Sequence, residues 1–156
     1  MAPSVTHPSA TGDFLVSLTR LQLRSSLYLP HFFWHTWRSV RQIKHIKGFR
    51  GGRLARDASG AYWTVTVWED LAAMRDFRNT GAHMTAMPKL LHWCNEASVA
   101  RWQQEHAGLP DGAEMLEKMR ALGRVSKVSR PTAEHVAGST AGSTAPVPGP
   151  RFSPAG

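Results

Sequence analysis

The 156-residue chain contains a single cysteine, Cys94, and only 11 acidic side chains. With one cysteine, no disulfide can form within the chain, so the fold must depend on a hydrophobic core. The longest apolar runs are far shorter than the roughly 20 residues that span a bilayer. The first residues also lack the basic and apolar stretches of a secretory signal. These absences predict a cytoplasmic protein without a membrane span.

The shortage of acids leaves a strongly basic chain, because 19 lysines and arginines give it a net charge of +8. Such a charge can attract nucleic acid, anionic lipid or an acidic small molecule. The basic side chains are spread out, however, and the densest series, from Arg38 to Arg56, has the spacing of a solvated helix face that runs into a strand. Since zinc-finger, RNA-recognition and helix-turn-helix signatures are all missing, a nucleic-acid partner is disfavoured.

Composition divides the chain into three parts. Residues 1–12 are polar, contain two prolines and are predicted to be a disordered tail. Residues 131–156 are rich in Pro, Gly, Ser, Thr and Ala, and they hold only three large hydrophobic side chains. Such a segment buries too little apolar area to offset its ordering entropy, so it is predicted to be a disordered low-complexity tail. Residues 13–130 are predicted to form one domain.

The spacing of hydrophobic residues predicts the architecture of that domain. Alternating apolar side chains predict strands near residues 14–21, 49–56, 61–68 and 97–102, with a turn at 57–60, helices in the other intervals and a last helix over 112–122. The order β-α-β-β-α-(α)-β is typical of a ferredoxin-like α+β fold, with helices on one face of an antiparallel sheet. Steps of four, three and three predict an inward-facing stripe on the first helix, made by Phe33, Trp37, Val40 and Ile43.

The sheet face turned away from the helices is predicted to be apolar as well. It would carry six hydrophobic side chains: Phe14, Val16, Leu18, Trp63, Val65 and Val67. A bare apolar surface of that size promotes association. We therefore expect a homodimer in which a second copy covers this face.

One stretch resembles a known superfamily. Residues Thr66 to His83, with the sequence TVWEDLAAMRDFRNTGAH, resemble the antibiotic-biosynthesis monooxygenases, in which a strand ending in Trp-Glu or Trp-Asp leads into a helix that ends near a His. Phe14–Leu23 and Ile46–Phe49 match the first strand of that superfamily and the turn into the second. The closest branch is the spheroidene-monooxygenase-like one. The resemblance covers about residues 13–130 and implies a dimeric α+β barrel with monooxygenase activity.

The resemblance also implies site residues. Small haem-degrading members of the superfamily place an Asn on the first strand, a Trp at the end of the third, and a haem-ligating His after the second helix. Trp68 and His83 stand at the matching positions, and Thr19 replaces the Asn. The resemblance therefore implies that Thr19, Trp68 and His83 are catalytic, with His83 a metal ligand only if haem is bound. The replacement at Thr19 argues against haem degradation, although not against haem binding.

Alternation along the strands places Thr19, Thr64, Thr66 and Trp68 on the sheet face assigned to the helices. A pocket between them would suit a flat, mostly apolar substrate. Six side chains are predicted to bind that substrate: Phe33, Trp34, Trp37, Tyr62, Thr64 and Thr66. For the aromatic residues the alternative is a purely structural role in the core, which is favoured for Phe33 and Trp37. Arg20 and Arg101 lie within strands, where each could pair with an acid or meet an anionic substrate.

Three functions remain open. The first is an oxygenase that acts on a hydrophobic aromatic or polyene molecule, with no cofactor required by any motif. The second is a haem-binding protein of the same fold with His83 as axial ligand. The third is a non-enzymatic dimer that binds a small ligand. His31 and His35 share a helix face, but no further ligand accompanies them, so a metal site is not expected there.

Overall fold

A computed structural model describes residues 13–155 of the chain. Within them the strands are β1 (Phe14–Leu23), β2 (Phe49–Arg56), β3 (Tyr62–Trp68), β4 (Cys94–Gln104), β5 (Arg124–Val125) and β6 (Val147–Phe152). The α-helices are α1 (Leu29–Ile43), α2 (Leu71–Arg78), α3 (Gly81–Trp93), α4 (Gly112–Leu122) and α5 (Ala133–Val136). No helix in this part of the chain is both long and apolar enough to cross a membrane. The predicted N-terminal tail, residues 1–12, lies outside the described residues.

All six strands form one antiparallel sheet in the order β5-β4-β1-β3-β2-β6. The central strand, β1, pairs with β3 on one side and with β4 on the other, which places Thr19 opposite both Thr64 and Val99. β3 suits the middle of a sheet because it consists entirely of β-branched and aromatic residues and contains no charged side chain. The predicted ferredoxin-like α+β fold is confirmed.

The predicted inner face of α1 is wrong by one position. Phe32, His35 and Ile43 are buried, whereas Phe33 and Trp37 are 50% and 49% exposed. Aromatic side chains occur on both faces of this helix, so hydrophobic spacing alone selects neither. Of the predicted stripe, only Ile43 is fully buried.

The second face of the sheet is covered by the chain itself. Met115 and Met119 of α4 have no exposed surface and pack against Val16, Leu18 and Val65. Helices therefore lie on both faces of the sheet, and the prediction that this apolar face is bare is wrong. The argument for a homodimer from that face no longer holds, and the homodimer stays a prediction without it.

The C-terminal segment is ordered, contrary to the prediction of a disordered tail over residues 131–156. It contains α5 and then β6, which pairs with β2 so that Phe152 lies opposite Gly52. Phe152 is buried and stacks on Phe49 with 5.8 Å between ring centroids. Composition predicts disorder because the segment has few side chains to bury. The free edge of β2 nevertheless offers unpaired backbone N–H and C=O groups, and the segment is held by hydrogen bonds to them.

A buried ion network joins this segment to the sheet. The Arg20 guanidinium, 3% exposed, donates to Asp57 at 3.0 Å and to Glu96 at 2.7 Å. Asp57 also accepts from the indole N–H of Trp63 at 2.9 Å, and Glu96 accepts from the hydroxyl of Thr132 at 2.8 Å. Arg20 therefore meets acids, which was one of the two alternatives for this residue.

Candidate functional site

A cavity of about 500 Å³ lies between the sheet and helices α1, α2 and α3. Its floor comes from β1, β3 and β4, and its roof comes from the inner faces of the three helices. This is where the sequence predicts a pocket. Five predicted site residues contribute to its wall: Thr19, Thr64, Thr66, Trp68 and His83.

The floor of the cavity carries a group of hydroxyls. Ser17 lies opposite Thr66, and Thr19 lies opposite Thr64 in the next row of the β1–β3 pair. Because opposed residues of an antiparallel pair share a face with short side-chain separations, these four hydroxyls cluster at the centre of the floor. An otherwise apolar cavity with a few such groups can orient a flat molecule through its oxygen atoms.

Trp68 lies at one end of this floor. Its indole N–H donates to the Thr66 hydroxyl at 2.8 Å, and its ring packs between Phe49 and Phe77 with centroids at 5.4 and 5.5 Å. None of its surface is exposed, so the ring lies just behind the inner surface of the wall. In this arrangement Trp68 positions Thr66, and a ligand contacts the indole only if neighbouring side chains move.

His83 lies in the first turn of α3. Its backbone N–H donates to Gln42 Oε1 at 3.0 Å, and Gln42 Nε2 donates to the carbonyl of Thr80 at 2.8 Å, so α1 holds the junction between α2 and α3. Gly81 has a φ of +60° at this junction, and a Cβ there would lie 2.9 Å from Gln42 Cδ. Glycine is favoured in that backbone conformation. Gln42 is a positioning residue that the sequence analysis did not identify.

The imidazole of His83 is set up to be neutral near pH 7. Burial lowers its pKa below the usual 6.5; the Arg78 carbonyl acts in the opposite direction, and the Arg78 charge lowers the pKa further. Its Nδ1 lies 3.5 Å from that carbonyl oxygen, and the ring is 4.6 Å from Phe77. With the proton on Nδ1, Nε2 keeps a lone pair that can accept a proton or ligate a metal.

Four aromatic residues predicted to bind substrate lie away from this cavity. Phe33 packs against Tyr62 at 5.6 Å between centroids, and Trp34 stacks on Trp37 at 5.4 Å. Besides Trp68, the aromatic part of the wall comes from four residues that the sequence pattern did not indicate: Phe32, Phe77, Trp93 and Phe152. The difference arises because α1 turns Phe32, and not Phe33, towards the sheet, and because the C-terminal segment forms β6 and brings Phe152 to the wall.

His35 is a second imidazole in the wall. It is buried, its Nδ1 has no hydrogen-bond partner among residues 13–155, and its Nε2 lies 3.4 Å from the ammonium of Lys89. Burial lowers its pKa, and the charges of Lys89 and Arg38 act in the same direction. His35 is therefore another neutral imidazole that faces the same space. The i,i+4 spacing of His31 and His35 does not predict this role, because only His35 of the two is buried.

Other reactive groups in the described part of the chain are few. Residues 13–155 contain no group of three or more His, Cys, Asp or Glu side chains that could hold a metal ion. Cys94 is buried, and burial raises the pKa of its thiol to about 12. Because the thiolate is the nucleophile, this cysteine is unreactive at neutral pH.

No model of a known protein family matches the chain, and no curated protein matches it. Solved structures do match. NE2512 of Nitrosomonas europaea, a protein of unknown function, has a TM-score of 0.53 at 12% identity over 65% of this chain and 99% of its own. Rv0793 of Mycobacterium tuberculosis has a TM-score of 0.51 at 13% identity over 63% and 97%. A conserved Methanosarcina mazei protein has a TM-score of 0.53 at 8% identity over 59% and 93%.

These likenesses show the fold alone. The chain shares the ferredoxin-like α+β architecture of these proteins. The matches cover 59–65% of this chain, so the rest of its residues have no counterpart in them. Because fold does not define function, the activity must be argued from the cavity itself.

Proposed function

We propose that the chain is a monooxygenase-like protein that oxidises a hydrophobic aromatic or polyene molecule in the cavity between the sheet and the helices. The observation that carries the proposal is the position of His83 in the wall of a mostly apolar cavity whose floor bears hydroxyls, where burial lowers the pKa of its imidazole. The resemblance of Thr66–His83 to antibiotic-biosynthesis monooxygenases supports it. The spheroidene-monooxygenase-like branch and the homodimer remain parts of this proposal.

An electron-rich phenol can reduce oxygen without a cofactor. His83 would take the phenolic proton, since its Nε2 is free to accept one, and leave a phenolate. A ring carbon of the phenolate then bonds to oxygen, and the protonated product is a hydroperoxide. Loss of the ring C–H proton with cleavage of the O–O bond gives a carbonyl and water. For a naphthalenediol, one diol and one oxygen molecule give one hydroxynaphthoquinone and one water, and the substrate supplies all the electrons.

The floor hydroxyls would orient the substrate and stabilise the negative charge that develops on its oxygen atoms. Thr66 is held by Trp68, and Thr19 lies beside it in the neighbouring row of the floor. The apolar side chains of the helices would exclude water from the hydroperoxide. This assigns roles to the three predicted catalytic residues: proton acceptor for His83, oxygen-binding hydroxyl for Thr19, and positioning of Thr66 for Trp68.

We expect His83→Ala to lower the rate of oxygen uptake with a naphthalenediol by about a hundredfold or more, because a positioned general base contributes at least that much. Oxygen consumption and quinone absorbance measure it. The matched control is His31→Ala, since His31 is an exposed histidine outside the cavity wall. Equal rates for both variants would contradict the role of His83. Saturable substrate binding without oxygen uptake by the wild type would instead favour a non-enzymatic ligand-binding protein.

The same reaction has an expected pH dependence. Only neutral His83 can accept a proton, and burial lowers its pKa below 6.5. The rate should therefore decline as the pH falls, with the midpoint of the decline below pH 6.5. A profile of kcat/KM against pH checks this. A decline centred at or above 6.5 would show that another group controls the reaction.

Haem binding is the second candidate, and the residues of the cavity fit it. A neutral imidazole is the usual protein ligand of haem iron, and three cations of the wall (Arg78, Arg101 and Lys127) suit the propionates. When bound, haem would supply the oxidative chemistry, and the chain would contribute the ligand, the apolar walls and the exclusion of water.

Titration with haemin is expected to give a saturable shift of the Soret band in the wild type if His83 ligates the iron. His83→Ala should lose the shift, and His31→Ala should keep it. A shift that survives in His83→Ala would exclude this histidine as the ligand, and no saturable shift in the wild type would exclude haem from the proposal.

A further inference from the structure

The wall of the cavity has an uncompensated positive charge. Three cationic side chains (Arg78, Arg101 and Lys127) contribute to it, and no aspartate or glutamate does among the wall residues that the structure describes. Ion pairs between residues 13 and 155 involve only Arg20 and Arg50, so none of these three cations has an acidic partner within 4.0 Å there. Residues 1–12 contain no acidic side chain that could serve.

Arg101 lies beside the hydroxyl floor. It is on β4, directly opposite Ser17 of β1, which in turn lies opposite Thr66 of β3. Because these opposed residues share one face, the guanidinium and the floor hydroxyls belong to the same row of the sheet. The Nε of Arg101 is buried and has no hydrogen-bond partner in the described chain. A buried donor without a partner costs free energy that an acceptor on a ligand would recover.

Further arginines surround Arg101. Burial lowers the pKa of its guanidinium, and the charges of Arg78, Arg124 and Arg75 lower it further. An arginine nonetheless keeps its proton, so Arg101 and Arg78 are like charges in one wall, and the exposed Arg75 and Arg124 add to the positive charge outside it. An anion placed among them would remove this repulsion as well as satisfy the free donor.

The opposite face of the sheet shows how the chain treats an arginine that has only a structural role. Arg20 is buried there, and two carboxylates and a hydroxyl accept its hydrogen bonds. Arg101 occupies a strand position on the other face with none of these partners. The difference indicates that the acceptor for Arg101 comes from outside the chain.

We propose that this end of the cavity binds the carboxylate of its ligand, with Arg101 as the principal donor and Arg78 as a supporting cation. The ligand is then a flat, largely apolar molecule that carries an acid group. The inference rests on the proposed ligand cavity and narrows its substrate class to aromatic or polyene carboxylates. A planar guanidinium suits this role because it donates two parallel hydrogen bonds to a carboxylate.

Calorimetric titration with naphthoate and with naphthalenemethanol tests the inference, because the two probes share a ring system and differ in charge. We expect the wild type to bind naphthoate about tenfold more tightly or better, as a hydrogen bond between charged groups allows. Arg101→Gln should abolish this preference and leave the affinity for naphthalenemethanol unchanged within about twofold. The preference should also weaken as salt is raised.

Two further variants control for folding and for charge. Arg101→Lys should keep part of the preference, because it retains the charge and loses the paired hydrogen bonds. Lys47→Gln removes one positive charge from an exposed position outside the wall, and it should bind both probes like the wild type. Thermal unfolding is the second readout. Without a ligand, Arg101→Gln should melt at or above the temperature of the wild type, because it removes an unpaired cation. Naphthoate should raise the melting temperature of the wild type and of Lys47→Gln by more than that of Arg101→Gln.

The outcomes separate this inference from the proposed function. Equal affinity for both probes, unchanged in Arg101→Gln, would overturn the carboxylate site and leave the cavity as a ligand site. Binding of neither probe would overturn both. A carboxylate could also belong to haem, so haemin and its dimethyl ester form a further pair. Loss of haemin binding on esterification and in Arg101→Gln would identify the propionates as the source of the acid group.

Discussion

Replacing Asp57 by alanine is expected to lower the free energy of unfolding by about 3–5 kcal/mol, because it removes one partner of a buried ion pair. The Arg20 guanidinium, which is only 3% exposed, would keep Glu96 as its one acidic partner among the described residues. Asp57 also accepts hydrogen bonds from the indole of Trp63 at 2.9 Å and from the backbone N–H of Ala61 at 3.0 Å. Those two buried donors would lose their acceptor in the same variant.

Denaturant unfolding followed by circular dichroism measures this effect. Asp76→Ala is the matched control, since Asp76 is exposed on α2 and its side chain takes part in no ion pair of residues 13–155. Asp57→Asn should lie between the wild type and Asp57→Ala, because the amide keeps one acceptor oxygen. A loss for Asp57→Ala as small as that of the control would show that this network does not stabilise the fold.

The network also has an expected pH dependence. Burial by itself would raise the pKa of Asp57, but hydrogen bonds from Ser59, Trp63, Arg20 and Ala61 outweigh it and lower the pKa below its usual value of 3.8. The folded protein therefore binds this proton less readily than the unfolded chain does. The stabilisation is present above pH 3.8 and is lost as the pH falls through the folded-state pKa. Asp57→Ala should lack this part of the acid sensitivity of the wild type.

Replacing Phe152 by alanine is expected to cost roughly 3 kcal/mol of unfolding free energy, at the low end for a buried phenylalanine, because β6 is an edge strand. The ring is 7% exposed, stacks on Phe49 and forms part of the cavity wall. Its loss would open the cavity as well as weaken the packing of β6 on β2. If the tail were disordered, as composition alone predicts, the same substitution would change nothing.

Two neighbouring glycines allow this contact to be tested separately from backbone effects. A Cβ at Gly52 would lie 2.3 Å from Phe152 Cε2, whereas a Cβ at Gly51 would meet nothing within 4 Å. Gly52→Ala should therefore destabilise the protein by about 1–3 kcal/mol, and Gly51→Ala should not. In a Phe152→Ala background the cost at Gly52 should fall, and only the part due to the Val65 carbonyl oxygen, 3.0 Å from the same Cβ, should remain. A cost at Gly52 that is unchanged without the phenylalanine ring would show that β6 does not pack there.

Much of the fold could be predicted from residue order because the relevant forces are local. The β-branched and aromatic run of β3 and the alternation of β1 predict strands, and Asp70 and Asp111 begin helices by accepting backbone N–H bonds from Ala73 and Glu114. Alternation also placed Thr19, Thr64 and Thr66 on the face that became the floor of the cavity. A period of two leaves only two choices of face, and the hydroxyl-bearing one faces α1, α2 and α3.

The remaining features depended on contacts between distant segments. Because α1 has aromatic residues on both sides, hydrophobic spacing does not identify its inner face. Spacing predicts Phe33 and Trp37 inward, whereas Phe32 and His35 are the buried residues. The cover of Val16 and Leu18 comes from Met115 and Met119, about 100 residues further along the chain. Spacing within a segment contains no information about such a partner.

Local patterns are enough to predict the α+β class, the order of the elements and the hydroxyl-bearing face of the sheet, because periodicity and capping act over a few residues. Three other features depend on contacts between distant segments: β6 closes the edge beside β2, α4 covers the second face, and Arg101 has no acidic partner within residues 13–155 while Arg20 has two. These outcomes depend on which distant groups meet. Such long-range contacts depend on loop closure, on competing partners and on burial, and no local pattern of residues predicts them.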